Sequence, residues 1–403
     1  MQPSLVHAPC PVCGHTVAAD FFDGGLQPLA TLGWPQSASQ ASGMSRLPHQ
    51  FVQCPACSHV WNRGFRYDAV PYRSSPNRMF NDGSIWRGHL AETSERLLAL
   101  LPQSPSIVEI GCGEGHFLRG LARASGGTGR FVGFDPSTHA STAPDLEFHA
   151  RLFEPLSDMA AYAPDAVVIR HVIEHLTEPA ALLEQFAWAA SRLERPCWMF
   201  VETPCIDRVF ETARLVDFFY EHASHFTTQS FRTMMARAGE VVELAHGYDG
   251  EVVYALVRLG VPQERLAQAA AAQAFRARVA DSRAKVRAQL DALAHEGLTV
   301  AIWGGTGKAA AFIHQFGADA ERFPLVVDSD PEKAGSFVPG AGQEIVFRDV
   351  LKDRLIDVVI VPSQWRARDI LAEMDREGIR AERLLIEHEG RLVDFVRDAH
   401  GYR

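Results

Sequence analysis

A short apolar run at 107–110 breaks into Gly111-Cys-Gly113-Glu-Gly115 and passes, from about His116, into a segment of helical period. A strand, glycine turn and helix in that order commit a chain to parallel β/α construction. The helix must return across the sheet before the next parallel strand can start. The alternation continues. Residues 131–134, 166–170 and 198–201 are short apolar runs of the kind seen in strands buried on both faces. Helical period shows at 121–124 and 180–193. Nearer the C-terminus, 300–303, 325–327, 358–361 and 384–386 repeat the pattern. Between the two regions, 263–297 are rich in Ala and Arg and lack Pro and Gly until Gly297, which predicts one long connecting helix. The expected organisation is a small module over 1–75, an α/β domain over 76–260, a connecting helix over 261–297 and a second, Rossmann-like α/β domain over 298–403.

The 403 residues suit two or three domains at roughly 100–200 residues each. Hydrophobic residues at 47% exclude a mainly disordered chain. Forty-nine acidic residues against 39 basic give a net charge of −10, which argues against a nucleic-acid binder but leaves room for a local basic pocket. No stretch approaches the ~20 apolar residues of a membrane span. The first residues carry neither a basic nor an apolar leader region. The expectation is a cytoplasmic monomer with reduced thiols, no nucleic-acid partner and no membrane partner.

Cys10-Pro-Val-Cys13 and Cys54-Pro-Ala-Cys57 are two C-x-x-C knuckles. Each can offer two thiolates to one tetrahedral ion, and the two pairs complete a closed four-cysteine zinc site with no open position, hence a structural one. The competing reading is a redox or coincidental pairing. Gly14 suits the knuckle turn; His15 and His59 read as surface or supporting residues rather than ligands.

Glu109, Gly111, Gly113 and Gly115 line the first glycine turn, where the backbone can approach a ligand and the helix N-terminus favours negative charge. Asp135 ends the next strand, placed to accept ribose hydroxyls. A dinucleotide site also uses a glycine turn, but with G-x-G-x-x-G spacing. The acidic residue before G-x-G-x-G, followed by Asp135, resembles the class I S-adenosylmethionine (SAM) methyltransferases. That resemblance makes SAM the expected cofactor.

His171-Val-Ile-Glu174-His175 matches the inverted zincin pattern, which we reject because it follows a strand directly and lacks a third ligand. In the methyltransferase resemblance this loop borders the cofactor, so His171 is a cofactor-binding candidate. Its histidines either pack the loop or line the active site. Tyr220-Glu221-His222-Ala-Ser-His225 is the densest polar run in the chain. Glu beside His forms a plausible base cluster, since a carboxylate can orient an imidazole and raise its basicity; the alternative is a solvated helix start. Glu202, at the end of the preceding strand, is a substrate-binding candidate. Trp303-Gly-Gly305-Thr-Gly-Lys308 fails the P-loop pattern at Ile302 and Ala309, yet a glycine turn ending in lysine suits a phosphate or diphosphate. A tight turn with a solvated lysine is the plainer reading of Gly305 and Lys308.

The whole order resembles the sugar C-methyltransferases that act on nucleotide-linked 4-keto-6-deoxysugars. The resemblance runs from Cys10 to about Phe395. It implies a zinc-binding N-terminal domain, a central SAM domain and a C-terminal α/β domain, with the nucleotide sugar between the last two. It also implies a Glu-His pair in an E-H-x-S-x-F setting, matched by Glu221 and His222, and a lysine after the C-terminal glycine turn, matched by Lys308. The family's Tyr-His before that pair is Phe219-Tyr220 here, and a third, tyrosine-like position is His225. The implied chemistry is carbon methylation through an enolate: His222 removes the proton next to the ketone, Glu221 orients it, and Tyr220 or His225 stabilises the enolate oxygen. The competing classes are an O- or N-methyltransferase on a small molecule or glycan, and a non-enzymatic nucleotide-sugar binder. The intact Glu109, glycine and Asp135 set argues against the last.

Overall fold

The computed structural model describes residues 4–402 apart from 33, 73–80, 139, 141, 143 and 144. The boundary expected between 75 and 76 therefore lies outside the described residues. Two compact units are present, Met1–Pro262 and Gln263–Arg403.

The first unit opens with β1 (Leu5–His7), β2 (Val17–Gln27), β3 (Leu47–Gln53) and β4 (Val60–Asn62), paired antiparallel in that order. The knuckles sit at the turns before β2 and β4. Their hairpins bring Cys10 Sγ to 3.6 Å from Cys57 Sγ and Cys13 Sγ to 3.5 Å from Cys54 Sγ.

Behind this sheet lies a seven-stranded one built from β5 (Ser106–Ile110), β6 (Arg130–Phe134), β7 (Leu146–His149), β8 (Ala166–Arg170), β9 (Trp198–Pro204), β11 (Gly239–Gly247) and β12 (Val252–Leu259), in the order β11-β12-β9-β8-β5-β6-β7. The helices His116–Ala124 and Pro179–Ala190 follow β5 and β8. β5, β6, β8 and β9 pair in parallel, as the apolar runs predict, and β7, which no such run marks, pairs parallel to β6. β12 pairs antiparallel to β9, and β11 to β12. A short turn, Tyr248–Gly250, joins β11 to β12, and a connection that short allows only antiparallel pairing. The chain reverses direction across the sheet between β5 and β8. Ligands of doubly wound sheets gather at the carboxyl ends of the strands at such a point.

A two-residue strand, β10 (Ser224–His225), leaves this second layer and pairs antiparallel with β4. The cysteine module thus completes its sheet with residues that follow His222.

The second unit begins with the helix Gln263–His295. Its last turns carry Val286, Leu290 and Leu293 into the same core as Phe312, Ile313 and Phe316. Strands β13 (Val300–Trp303), β14 (Leu325–Asp328), β15 (Ile345–Phe347), β16 (Ile356–Ile360), β17 (Ala381–His388) and β18 (Arg391–Asp394) form a sheet in the order β15-β14-β13-β16-β17-β18. All pairs are parallel except β17 with β18. Among the described residues no helix is long and apolar enough to cross a membrane.

Candidate functional site

At the carboxyl end of β5, Gly111 and Gly115 hold φ +71° and +75°. A Cβ on Gly111 would stand 2.2 Å from Val172 Cγ2, and one on Gly115 2.4 Å from the Phe148 ring, so the turn closes only on glycine. Gly113 has open space before it. Asp135 follows β6, where its Oδ2 accepts the Gly113 N–H at 3.1 Å and its Oδ1 accepts from the Ser137 N–H and hydroxyl. Glu109 is buried, with Oε2 unpartnered. Burial pushes its carboxyl up to about 8, against the pull of Arg170. An orphaned carboxylate oxygen beside a turn that only glycine can make fits a cationic, nucleoside-bearing ligand such as SAM.

The loops after β8 and β9 carry the densest charge. Glu202 is fully buried. Arg170 donates to its Oε1 at 2.7 and 3.1 Å, His171 Nε2 lies 3.2 Å from Oε1, and His89 Nε2 lies 2.5 Å from Oε2. Burial would raise the Glu202 carboxyl, but Arg170 and the two imidazoles hold it well below the usual range. Its oxygens are committed within the protein, so the expected direct contact with substrate is replaced by support for Arg170 and His171. His171 has φ +52°, a strained value for a non-glycine residue. Its ring lies between Glu202 and Glu174, with Nδ1 3.5 Å from Glu174 Oε1. Burial opposes its charge, but hydrogen bonding to Glu174 and Glu202 outweighs this and lifts it to about 9.

The Tyr220-Glu221-His222-His225 run lies beside this cluster, with its roles redistributed. Glu221 does not orient His222. Its Oε1 accepts the backbone N–H groups of Ala30, Thr31 and Leu32 at 2.8, 2.6 and 3.1 Å, and the Thr31 hydroxyl at 3.1 Å. Three consecutive amides form a nest that suits a carboxylate. Tyr220 is fully buried; its hydroxyl accepts the Arg66 N–H at 2.9 Å and donates to the Gly64 carbonyl at 3.4 Å. It anchors the cysteine module and is not placed to meet an enolate. His225 packs against Phe51 and Phe218, its Nε2 unpartnered, and burial depresses it to about 3.

His222 is half-buried, with the rings of Phe219, His175 and His225 at 4.1, 4.9 and 5.9 Å. Burial, then the neighbouring histidines, hold it well below its usual value, so it is neutral and able to accept a proton. A carboxylate oxygen of Glu174 and ring nitrogens of His175 and His222 lie within 4.8 Å of one another. His175 Nδ1 donates to the Glu221 carbonyl at 2.8 Å, and the Tyr72 hydroxyl donates to the same carbonyl. Glu174 and Tyr72 are residues the sequence reading left out of the site, and His175 is one whose role it left open. H-x-x-E-H following a strand was the available signal for Glu174 and His175; no local pattern marks Tyr72.

The four cysteine Sγ atoms also lie within 4.8 Å of one another, a fit to a tetrahedral zinc site. Cys205, Asp207 and His246 form a further trio, but the Thr228 hydroxyl already bridges Asp207 and His246. In the second unit, Lys308 is exposed and opens the helix Lys308–Phe316. The Gly305 N–H points to Asp328 at 3.4 Å, and a Cβ on Gly305 would clash with Ile345 at 2.2 Å.

Residues 85–244 match the methyltransferase domain family, and 255–386 match the C-methyltransferase C-terminal domain family. The C-methyltransferase NovU of Streptomyces niveus is 27% identical over 368 residues, covering 82% of this chain and 84% of that protein. Among solved structures, magnesium protoporphyrin IX methyltransferase of Synechocystis PCC 6803, with S-adenosylhomocysteine bound, aligns at 15% identity and TM-score 0.31 over 45% of this chain and 89% of its own. The Haloferax volcanii complex of the Trm112 methyltransferase activator aligns at 16% identity and TM-score 0.34 over 43% of this chain and 90% of that one.

Proposed function

We propose that this chain, whose two parts match the methyltransferase domain and the C-methyltransferase C-terminal domain families, is a SAM-dependent C-methyltransferase that methylates a nucleotide-linked 4-keto-deoxysugar at the carbon next to the ketone. The observation that carries this reading is His222: a neutral imidazole facing His175 and Glu174, in the unit that holds the glycine turn. Methylation at carbon requires an unprotonated base held out of water beside the C–H bond to make an enolate, whereas a hydroxyl needs much less.

Glu109, Gly111, Gly113, Gly115 and Asp135 would hold SAM, which supplies the methyl group. His171, cationic between two carboxylates, borders that pocket. His222 takes the proton next to the ketone, and the electron pair of the broken C–H bond moves onto the ketone oxygen. With Tyr220 engaged elsewhere, His225, whose Nε2 has no partner, is the remaining candidate to meet that oxygen, and it would donate there only as the Nε2–H tautomer. Bringing the reacting carbon and the methyl group together supplies much of the acceleration. The four cysteines hold a structural zinc. Lys308 and the Gly305 turn are the candidates for the substrate's phosphates.

The test is mass spectrometry of turnover in deuterated water with SAM and a panel of nucleotide 4-keto-6-deoxysugars. The expected product gains a methyl group that survives cleavage of methyl ethers. His222→Asn should remove turnover and spare SAM binding. Full activity in that variant, or a methyl gained on oxygen without exchange of the carbon-bound hydrogen, overturns the reading.

A further inference from the structure

We propose that Glu174 is the carboxylate that serves His222, balancing the imidazolium that forms when His222 takes the proton, so that Glu174 and not Glu221 is the positioning acid of this site. The inference rests on the reading of His222 as the base.

Glu174 lies in the turn Ile173–His175 directly after β8 and is only 2% exposed. A carboxylate that deep costs several kcal/mol unless its neighbours compensate. Its neighbours are few and specific. The Thr203 hydroxyl donates to Oε2 at 3.1 Å, His171 Nδ1 lies 3.5 Å from Oε1, and nitrogens of His175 and His222 lie within 4.8 Å of the carboxylate. The two acids in this region divide the work. Glu221 gives Oε1 to the 30–32 nest and keeps Oε2 without a partner, while Glu174 faces imidazoles.

Among the described residues, His222 has neighbours from three segments. Its own loop presents Phe219. The segment after β8 presents His171, Glu174 and His175, and β10 presents His225. Behind them, the Glu221 carbonyl and the Tyr72 hydroxyl fix His175, and Glu202 fixes His171. Three imidazoles oppose a positive charge on His222, and Glu174 is the ionised group in the ring that favours one. In the step itself the substrate C–H bond breaks, a His222 N–H bond forms, and the electron pair goes to the ketone oxygen. Glu174 stays ionised throughout, and His222 returns the proton to water after product leaves. Catalytic contacts of this kind are commonly long before substrate arrives and tighten in the complex.

The test uses the full-length, zinc-loaded protein in two assays. One is exchange of the substrate's α-hydrogen into deuterated water with a nucleotide 4-keto-6-deoxysugar and S-adenosylhomocysteine. The other is turnover with SAM across pH. Glu174→Gln should lower both on the order of 10²–10⁴-fold, leave SAM affinity unchanged, and move the acid limb of the pH profile to lower pH. Glu174→Asp should recover part of the loss and shift the limb less. Exchange at the wild-type rate in Glu174→Gln overturns the inference, as does a loss with the acid limb unmoved. If the glutamine variant does not fold, the limb of the aspartate variant decides in the same way. A wild type that turns over with exchange while Glu174→Gln is untouched leaves the base reading standing and removes only this inference. A wild type with neither exchange nor C-methylation removes both.

Discussion

Glu221 Oε1 and the Thr31 backbone N–H, 190 positions apart in the chain, meet at 2.6 Å. The carboxylate beside His222 is held by the cysteine module, while the Glu221 carbonyl orients His175. One residue thus ties the four-cysteine module to an imidazole pair.

Glu221→Gln should keep the shape of this contact and lose its charge. Hydrogen bonds to charged groups contribute about 1.5–3 kcal/mol, so the variant should lose about that much stability in urea unfolding. Glu221→Ala should lose more, because the N–H groups of Ala30, Thr31 and the buried Leu32 are then left without this acceptor.

Removing zinc, or replacing Cys54 by Ser, should abolish turnover while leaving SAM binding in place. The reason is geometric: β4 follows the second knuckle directly and pairs with Ser224 and His225. Isothermal titration with SAM beside the turnover assay checks both halves. Equal loss of the two would show that the module supports the whole unit rather than the His222 segment.

SAM affinity should depend on pH through Glu109. Its free carboxyl stands near 8, and a cationic ligand binds the ionised form better. Affinity should therefore fall as pH drops below 8, by up to about tenfold per pH unit. Glu109→Gln should bind more weakly and with a flat profile. A sloping profile in the variant would assign the proton to another group.

Acid should destabilise the fold through histidines buried in the neutral form. His225 stands at about 3, and His49 and His222 are also lowered, each chiefly by burial, from 6.5. Below 6.5 the unfolded chain binds protons that the folded one refuses. Their stabilisation is thus whole above 6.5 and lost as pH falls toward 3, by at most about 1.4 kcal/mol per pH unit for each. His171, raised to about 9, acts oppositely: its contribution is whole below 6.5 and lost as pH rises through 9. Thermal unfolding across pH should therefore show greatest stability near pH 6.5 from this set, with His225→Phe flattening the acid side.

Lys308→Met should raise KM for the nucleotide sugar about 10–100-fold, the equivalent of one charge-assisted hydrogen bond, with kcat and SAM affinity little changed. A drop confined to kcat would move Lys308 out of the binding role.

Eight strands of the two larger sheets are legible in the sequence because each is a short apolar run set off by glycine or helical period, whereas β7, β11, β12, β15 and β18 are not marked in this way. β13 lies at the residues expected, and β16 ends one residue short of them. The cysteine module's strands escaped notice because β2 mixes exposed and buried positions without strict alternation, with shifts in register near Asp20 and Asp23. In the site, the motif around Glu221 and His222 marked the right segment but suggested the wrong partners. Adjacency in sequence implied that Glu221 serves His222. Yet side chains of adjacent residues need not face each other, and the carboxylate turned instead to amides at 30–32. Contacts spanning 149 to 191 positions, such as Tyr72 with the Glu221 carbonyl or Ala30 with its carboxylate, leave no local pattern to read.

Two residues of β10 serve as the last strand of a sheet whose other strands lie before residue 63. Cutting the chain ahead of the glycine turn, as a map of motifs would suggest, takes away more than a zinc-binding appendage. It leaves β10 without its neighbour, Glu221 without its amides and Tyr220 without Gly64 and Arg66. The shortened protein would keep Gly111, Gly113, Gly115 and Asp135 and lose the strand and amides that hold the segment around His222. Exchanging N-terminal modules between related enzymes therefore changes what holds the segment from Tyr220 to His225, even when no residue after 80 is altered.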